Sequence, residues 1–472
     1  MKLTPVAIAC AALLGFSASA WAQDDVEVLK QQMAALQQQM AALQSKLNTV
    51  TAAPAPTEAA QAPEAATAPP AASTSPLSAK IGRANLSLYG FADLSADWTS
   101  DGKEHLGQVS SNLSYFGVRG NRALGSSGLK AIVQFETLVN VSGTPTETGG
   151  LGSRNSFVGI EGEFGKIMLG KYDTPYKRAT AIMDPFASSV GDYNSIMGNT
   201  GGDLRAEFDP RLPHSIFYDS PKWNGVLVNA LYSPGQKYNN LANAENYAFA
   251  QGERVCAGAS PGGSGSLPDP VTHSCNDGAF KNAWSLAANY ERGPLLVTVS
   301  YERHKSVDRT GDNGGNSTDE SAAKIGALYT FDTKFGKNKL SAIYEKFFRS
   351  GGIAAAVNER ARHGIYISDV QDLGYGLEVM AAWAHASQTP GGPDFGTIND
   401  KANMYVAGTK YHFDKQVAVY LTGALLRQGG GAHYALGAGG HGTPIASPRN
   451  DDGDTIPGQQ LWGLSLGLQY AF

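Results

Sequence analysis

The chain ends with the stretch Leu461-Trp462-Gly463-Leu464-Ser465-Leu466-Gly467-Leu468-Gln469-Tyr470-Ala471-Phe472. Large apolar side chains occupy every second position, and small or polar residues occupy the positions between them. Successive side chains of a β-strand point to opposite faces, so the stretch is predicted to be a strand with one apolar face. Aromatic rings flank that face at both ends, which is typical of a strand that crosses a bilayer. The terminal strand of a water-soluble β protein is the alternative.

The composition is compatible with a membrane β-barrel and does not fit a helical membrane protein. The 472 residues include 56 Gly, 20 Tyr and 18 Phe, but only 3 Cys. Beyond the N-terminal segment, no run approaches the ~18 apolar residues that a membrane helix needs. A β-barrel has no such apolar runs, because only alternate residues of its strands contact lipid. The net charge of −5 gives no reason to expect a nucleic-acid partner.

Three segments precede the predicted barrel. Residues 1–22 combine a basic start, a short apolar stretch and a small-residue cleavage site, which is typical of a secretory signal peptide. Residues 23–50 carry apolar side chains at an unbroken 3,4 spacing from Val26 to Val50, which predicts a short α-helical coiled coil. A lone amphipathic helix lying on a surface is the alternative. Residues 51–80 are rich in Ala and Pro and are predicted to be an extended linker.

Residues 81–472 alternate between strand patterns and turn signals to the end of the chain. About sixteen strands can be traced, each near the ~10 residues of a tilted barrel strand, and the second begins at Asn112. Tight turns such as Glu163-Phe164 alternate with long polar loops such as Asp173–Leu212 and Gln428–Gln460. Short turns on one rim and long loops on the other predict an all-β fold, a sixteen-stranded antiparallel transmembrane β-barrel. Both termini then lie on the short-turn side, which places the coiled coil in the periplasm.

A family resemblance is clearest in the run Ser-Arg-Asn-Ser-Phe-Val-Gly-Ile-Glu-Gly-Glu-Phe-Gly-Lys-Ile-Met-Leu-Gly-Lys-Tyr-Asp-Thr-Pro at residues 153–175. This run closely resembles the fourth and fifth strands of the trimeric general porins of Gram-negative bacteria. Further matches follow the same order at Leu88–Asp93, Phe116–Gly120, Ser215–Pro221 and Tyr470–Phe472. A strand with an aromatic C-terminus also resembles the closing strand of outer-membrane barrels, where it serves as an assembly signal. The resemblance implies a homotrimer in outer-membrane lipid and lipopolysaccharide, with a water-filled pore narrowed by an inward-folded third loop.

The resemblance also implies a constriction in which acids on the third loop face arginines on the barrel wall and set ion preference. By motif position, Arg154 and Arg211 match two wall arginines, and Arg119 occupies a basic position on the second strand. Tyr115 stands where the family usually has a further arginine, which puts anion selectivity in doubt. The predicted constriction residues are Arg119, Arg154, Arg211, Tyr115, Asp192, Asp203 and Glu207.

Strand parity supports an inward orientation for the wall residues. In the second predicted strand, Tyr115 and Arg119 share one face and Phe116 lies on the other. In the fourth, Arg154 lies opposite Phe157, which assigns Phe157 to the lipid face. An arginine facing lipid near the middle of the membrane would cost about 2–4 kcal/mol.

Other chemistry is sparsely represented in the sequence. Gly437–Gly442 matches GxGxxG, but no nucleotide-fold strand precedes it and no helix pattern follows. The nine His are scattered and no catalytic motif occurs, so no enzyme activity, cofactor or metal site is predicted. Cys256 and Cys275 share one long loop of an exported chain and are predicted to form a disulfide.

The sequence therefore predicts an outer-membrane porin for passive diffusion of small hydrophilic solutes and ions. A substrate-selective channel for sugars or carboxylates is the first alternative; a slide of lumenal aromatics would favour sugars, and none can be traced. A barrel enzyme, which would need an outward catalytic set, is the second. A link to the cell wall through the coiled coil is the third, and it is compatible with a pore.

Overall fold

The computed structural model describes residues 77–142, 151–199, 208–234, 280–307, 318–350, 361–389, 399–448 and 456–472. The predicted signal peptide, coiled coil and most of the predicted linker lie outside these residues. The last four linker positions belong to a strand that begins at Leu77. Across the described part of the chain, no helix is long and apolar enough to cross a membrane.

The described residues form one antiparallel sheet of eighteen strands. The strands are β1 (Leu77–Ile81), β2 (Ala84–Ser100), β3 (His105–Ser111), β4 (Tyr115–Ala123), β5 (Lys130–Leu138), β6 (Ser156–Gly162), β7 (Gly165–Asp173), β8 (Arg211–Asp219), β9 (Val226–Ser233), β10 (Asn282–Arg292), β11 (Leu295–Val307), β12 (Thr318–Thr333), β13 (Gly336–Ser350), β14 (His363–Asp372), β15 (Leu377–Ala386), β16 (Ala402–His412), β17 (Val417–Gln428) and β18 (Leu461–Ala471). Between β7 and β8 lie the helix α1 (Pro175–Thr180) and the 3₁₀ turns Ala181–Met183 and Tyr193–Ser195.

The sheet closes into a barrel with sixteen strand positions around its wall, as predicted. Each position is called a stave here, because one of them is occupied by two short strands. Strand β18 pairs with β2, with Trp462 opposite Ser100 and Ala471 opposite Phe91. Strands β3 and β4 pair with successive halves of β2 and together make one stave, while β1 is a short addition beside the start of β2. Beyond β18, Phe472 exchanges two backbone hydrogen bonds with Gly90. Closure pairs the first stave with the last, so the sheet has no free edge there.

The two faces of the barrel wall differ in chemical character. Along β18 the alternate apolar residues are exposed, with Leu466 at 61%, while Ser465 and Gly467 between them are buried. This is the alternation predicted from the sequence. On β2 the residues in phase with the buried face are polar, namely Asp93, Ser95, Asp97 and Thr99. The outer face is therefore apolar, whereas the inner face carries many polar and charged groups.

The predicted start of the second stave at Asn112 was wrong. Strand β3 precedes that position, and the stave breaks between β3 and β4. Leu113 adopts a left-handed backbone with φ of 49° at the break. The amide of Asn112 then reaches the inner face, where Nδ2 donates to Ser95 Oγ at 2.9 Å and to Tyr420 Oη at 3.1 Å. The polar sequence before β4 therefore belongs to the wall and is not a loop.

Candidate pore constriction

Three of the predicted wall residues gather in one cluster on the inner face of β2, β4 and β5. Arg154 Nε donates to Glu136 Oε1 at 2.6 Å, and the Arg154 guanidinium lies 4.6 Å from the centre of the Tyr115 ring. Tyr89 donates to the other Glu136 oxygen at 3.0 Å, and Arg119 lies 5.2 Å from the centre of the Tyr89 ring. The cluster joins two arginines through one carboxylate and two aromatic rings.

The parity prediction that assigned Phe157 to the lipid face was wrong. Phe157 packs edge-to-face against Tyr172 and Phe217, with ring centres 5.3 and 5.8 Å apart, in a cluster on the buried side of the sheet. Strand β6 begins at Ser156, so Arg154 lies in the bend before it and is outside the alternation. Arg154 is nevertheless only 5% exposed, because the bend turns its side chain towards Glu136.

Arg211 lies in a second cluster, which adjoins the first because its member Asn155 follows Arg154 in the chain. Its Nε donates to Asn155 Oδ1 at 2.8 Å, and its Nη2 lies 3.0 Å from Asp173 Oδ1. Asn155 also donates to Asp173 at 2.7 Å, and Lys177 Nζ lies 3.8 Å from the same carboxylate. The structure therefore brings Arg154 and Arg211 close through Asn155, but each arginine has a wall carboxylate as its partner.

Asp192, the predicted loop acid that lies within the described residues, has other surroundings. Asp192 accepts backbone N–H bonds from Ser188 at 2.6 Å and from Asn194 at 2.8 Å. Its carboxylate therefore stabilises the turn of its own loop. Four further predicted residues, Asp203, Glu207, Cys256 and Cys275, lie outside the described residues, so their roles stay predictions.

The segment between β7 and β8 is tied to the buried face of the distant strands. Tyr176 donates to Glu345 on β13 at 2.7 Å, and the Gly198 N–H donates to the same carboxylate at 3.0 Å. Tyr366 on β14 donates to Asp184 at 2.9 Å. These contacts join residues up to 182 positions apart in the sequence. They involve Tyr176 and Asp184 in the first half of the segment and Gly198 further along it.

An ion pair fixes the end of that segment. Lys324 Nζ on β12 donates to Asp209 Oδ1 at 2.7 Å, and both side chains are 1% exposed. Tyr193 and Asn194 donate to the other Asp209 oxygen at 2.7 and 3.0 Å. The Lys324 ammonium also lies 4.0 Å from the centre of the Tyr176 ring. One lysine thus connects the wall to three parts of the segment.

Burial raises the pKa values of the Asp184 and Asp192 carboxyls above their ordinary range, and for Asp184 repulsion from Asp192 adds to the effect. The backbone N–H donors oppose this shift because they favour the charged form. Arg178, which makes two bonds to Asp219 at 2.8 and 2.9 Å, has its pKa raised by that carboxylate despite its burial. In this segment, Arg178 is thus neutralised by a carboxylate, whereas Asp184 and Asp192 are held by hydrogen bonds from backbone N–H groups.

Sequence reasoning missed Glu136, Lys324 and Glu345. Each lies on a strand in phase with the buried face, opposite apolar neighbours such as Phe135 and Ile325 that are exposed. Parity alone could have assigned all three to the inner face. Their partners come from segments remote in sequence, so no local pattern identifies the pairs. Among the described residues, no group of three or more His, Cys, Asp or Glu could hold a metal ion.

The sequence matches a known protein family over most of its length. The family described as Gram-negative porin matches residues 59–431. The chain is 28% identical to the major outer membrane protein P.IA of Neisseria meningitidis serogroup C over 42% of this chain and 45% of that protein. It is 34% identical to P.IB of Neisseria gonorrhoeae over 31% of this chain and 40% of that protein. The alignments thus span less than half the length of these two relatives.

Solved structures match the fold over a larger share of the chain. The anion-selective porin from Comamonas acidovorans aligns with a TM-score of 0.60 and 19% identity, covering 82% of this chain and all of that one. At this identity the match describes the fold alone. It agrees with the closed sixteen-stave barrel derived from the strand pairings.

Proposed function

Because this chain belongs to the Gram-negative porin family, we propose that its barrel is a water-filled outer-membrane channel for passive diffusion of small hydrophilic solutes and ions. The observation that carries the proposal is the opposite character of the two faces of a closed barrel. The outer face exposes apolar side chains such as Leu466 and Val109, as a wall in contact with outer-membrane lipid and lipopolysaccharide requires. The inner face carries Asp93, Asp97 and many other polar groups.

The segment between β7 and β8 is proposed to fold into the channel and narrow it. Its contacts support this placement, since Glu345, Tyr366 and Lys324 are all in phase with the buried face of their strands. A connection of this length in a compact domain is usually functional. A loop that crosses a pore lowers the size limit for solutes because it reduces the open cross-section.

The constriction is proposed to carry a net basic wall, with Asp203 and Glu207 on the opposite, loop side. Glu136 and Asp173 offset the charges of Arg154 and Arg211, and Arg119 adds a third positive charge to the wall. Lys177, on α1, lies 3.8 Å from Asp173. The low-dielectric walls of a narrow pore strengthen the field of such groups. The local pairing weakens the field across the pore relative to a wall of unpaired arginines.

Single-channel recording tests the channel and its electrostatics together. The unmodified protein should form open channels in a planar bilayer. Arg211→Ala should shift the permeability ratio toward cations by about two-fold at low salt, because a positive charge in a focusing field is lost. The shift should shrink in high salt as screening shortens the field. Arg427→Ala, which removes an exposed charge from the end of β17, is the matched control and should leave the ratio unchanged.

Failure of the purified, folded protein to conduct would overturn the channel proposal. If the protein conducts but Arg211→Ala leaves the permeability ratio unchanged, Arg211 does not line the constriction, and the channel proposal stands.

The aromatic residues that the structure describes do not favour a sugar-selective channel. Rings stack in the order Phe280, His304, Phe208 and Phe347, with centres 4.3 to 5.3 Å apart. All four side chains are at most 3% exposed, so a passing sugar could not touch them. The stack packs the wall against the segment before β8 and does not form a slide.

The coiled coil predicted at residues 23–50 is proposed to lie in the periplasm and assist assembly of a homotrimer, with cell-wall contact as a further role. Removing residues 23–76, with the signal peptide retained, should leave the unit conductance unchanged, because the barrel closes through β2 and β18. Bilayer recording of the shortened chain beside the full one measures this. Folded but silent barrels from the shortened chain would contradict the proposal.

A further inference from the structure

The glycine-rich segment after β17 folds back on itself inside the described structure. Leu436 and Ile445 form an isolated antiparallel bridge, with reciprocal backbone hydrogen bonds of 3.0 and 2.9 Å. Leu436 is fully buried, and Tyr434, His441 and Ile445 are nearly so. Residues 434–445, named here the terminal-loop hairpin, therefore behave as part of the core although they belong to a long loop.

The terminal-loop hairpin is bonded to the inner face of the first staves. His441 Nε2 lies 3.2 Å from Asp97 Oδ2 on β2, and both side chains are completely buried. The Gly442 N–H donates to Asn112 Oδ1 at 3.0 Å. Both partners point to the polar side of the wall, opposite exposed neighbours such as Trp98. The hairpin consequently lies on the inner side of the barrel wall.

The same hairpin packs against the segment between β7 and β8. The Gly437 N–H donates to Ser195 Oγ at 2.9 Å. At Gly439 a Cβ atom would overlap the Asp192 carboxylate, so the backbone itself lies against that side chain. Asp192 in turn caps the 3₁₀ turn that contains Ser195. The two loops interlock through the residue that shapes the turn.

The two loops cover complementary parts of the inner wall. The segment before β8 contacts Gly326 on β12 through Met183 and Val406 on β16 through Gly191. The terminal-loop hairpin covers the wall at Asp97 on β2. Both loops also reach β18, where a Cβ at Gly463 would lie 2.5 Å from Val190 and 3.1 Å from Ile445, so they line adjoining parts of the inner wall.

We infer that the terminal-loop hairpin forms the second half of the pore constriction, so that two interlocked loops set the size limit for solutes. This inference rests on the proposed channel function. Gly439 and His441 are positioning residues: Gly439 permits the close approach to Asp192, and His441 ties the hairpin to the wall. The glycine spacing of residues 437–442 thus has a packing explanation and requires no nucleotide.

The first test places a leucine at Gly439. Gly439→Leu should displace the hairpin from Asp192 and raise single-channel conductance about two-fold, because ionic current follows the open cross-section. Larger neutral sugars should also enter liposomes that contain the variant. Gly430→Leu is the matched control, since no atom lies within 4 Å of a Cβ placed there. Its conductance and size limit should equal those of the unmodified protein.

A second variant decides the matter if Gly439→Leu does not fold. Because the Leu436–Ile445 bridge holds the ends of the excised piece together, residues 437–444 can be replaced by two glycines. The same rise in conductance and in sugar size limit is expected. Folded variants with unchanged conductance and size limit would overturn the inference while leaving the channel proposal standing. An unmodified protein that conducts no ions would instead refute the channel proposal on which the inference depends.

Discussion

Replacing Arg154 with alanine should lower the free energy of unfolding by about 3–5 kcal/mol, because it leaves a buried carboxylate without its cation. Glu136 is 6% exposed, and Arg154 Nε lies 2.6 Å from it. Tyr89 would remain as a hydrogen-bond donor to Glu136, but a neutral hydroxyl cannot replace a guanidinium. The guanidinium also loses its contact with the Tyr115 ring. Urea unfolding in detergent micelles, followed by tryptophan fluorescence, measures the change.

Two further variants separate the ion pair from the loss of side-chain volume. Glu136→Gln combined with Arg154→Met removes both charges and keeps most of the volume, so it should recover much of the lost stability. Arg122→Ala, at the exposed end of β4, makes the same truncation where no buried charge is left behind. A loss for Arg154→Ala no larger than that for Arg122→Ala would show that the Arg154–Glu136 pair is not buried as described.

The barrel could be predicted from the sequence because its main signal is local. The alternation in Leu461–Phe472 can be recognised within a single strand. The short turn at Glu163-Phe164 connects β6 and β7 as expected. Parity also assigned Tyr115 and Arg119 correctly to the face opposite the exposed Phe116. These inferences depend on a period of two and on turn chemistry, both of which are written in consecutive residues.

The errors arose where the backbone leaves the regular strand. Leu113 interrupts the second stave with a left-handed residue, so the strand before it went unrecognised. Arg154 lies in a bend, so counting from it gave Phe157 the wrong face.

The partners of the site residues were beyond sequence reasoning for a different reason. Arg154 and Glu136 are 18 positions apart, and Lys324 and Asp209 are 115 apart. The first pair is brought together by the pairing of β5 with β6, and the second by packing of the segment between β7 and β8 on the wall. Any of several acids would have fitted the same local pattern. The acids of the segment before β8 were expected to face wall arginines. Asp209 instead bonds to a lysine that the sequence gave no reason to select.

Lys324→Met should release the end of the segment between β7 and β8 and destabilise the barrel by about 3–5 kcal/mol, because Asp209 would be buried without a cation. The Asp209 backbone is already in the left-handed region, with φ of 105°, so surrounding contacts must hold it there. Tyr193 and Asn194 would still donate to the carboxylate, but their bonds leave its charge uncompensated. Urea unfolding gives the stability, and single-channel current noise reports movement of the segment.

Charge removal at both positions distinguishes the ion pair from packing. Lys324→Met combined with Asp209→Asn keeps the hydrogen bonds from Tyr193 and Asn194 and removes the buried charge, so it should return stability and quiet current toward those of the unmodified protein. Lys339→Met applies the same chemical change to an exposed lysine on the neighbouring strand and should have little effect on stability. If the double variant were as unstable and noisy as Lys324→Met alone, the lysine would act through its packing on the Tyr176 ring. The segment would then depend on that contact and not on the Lys324–Asp209 ion pair.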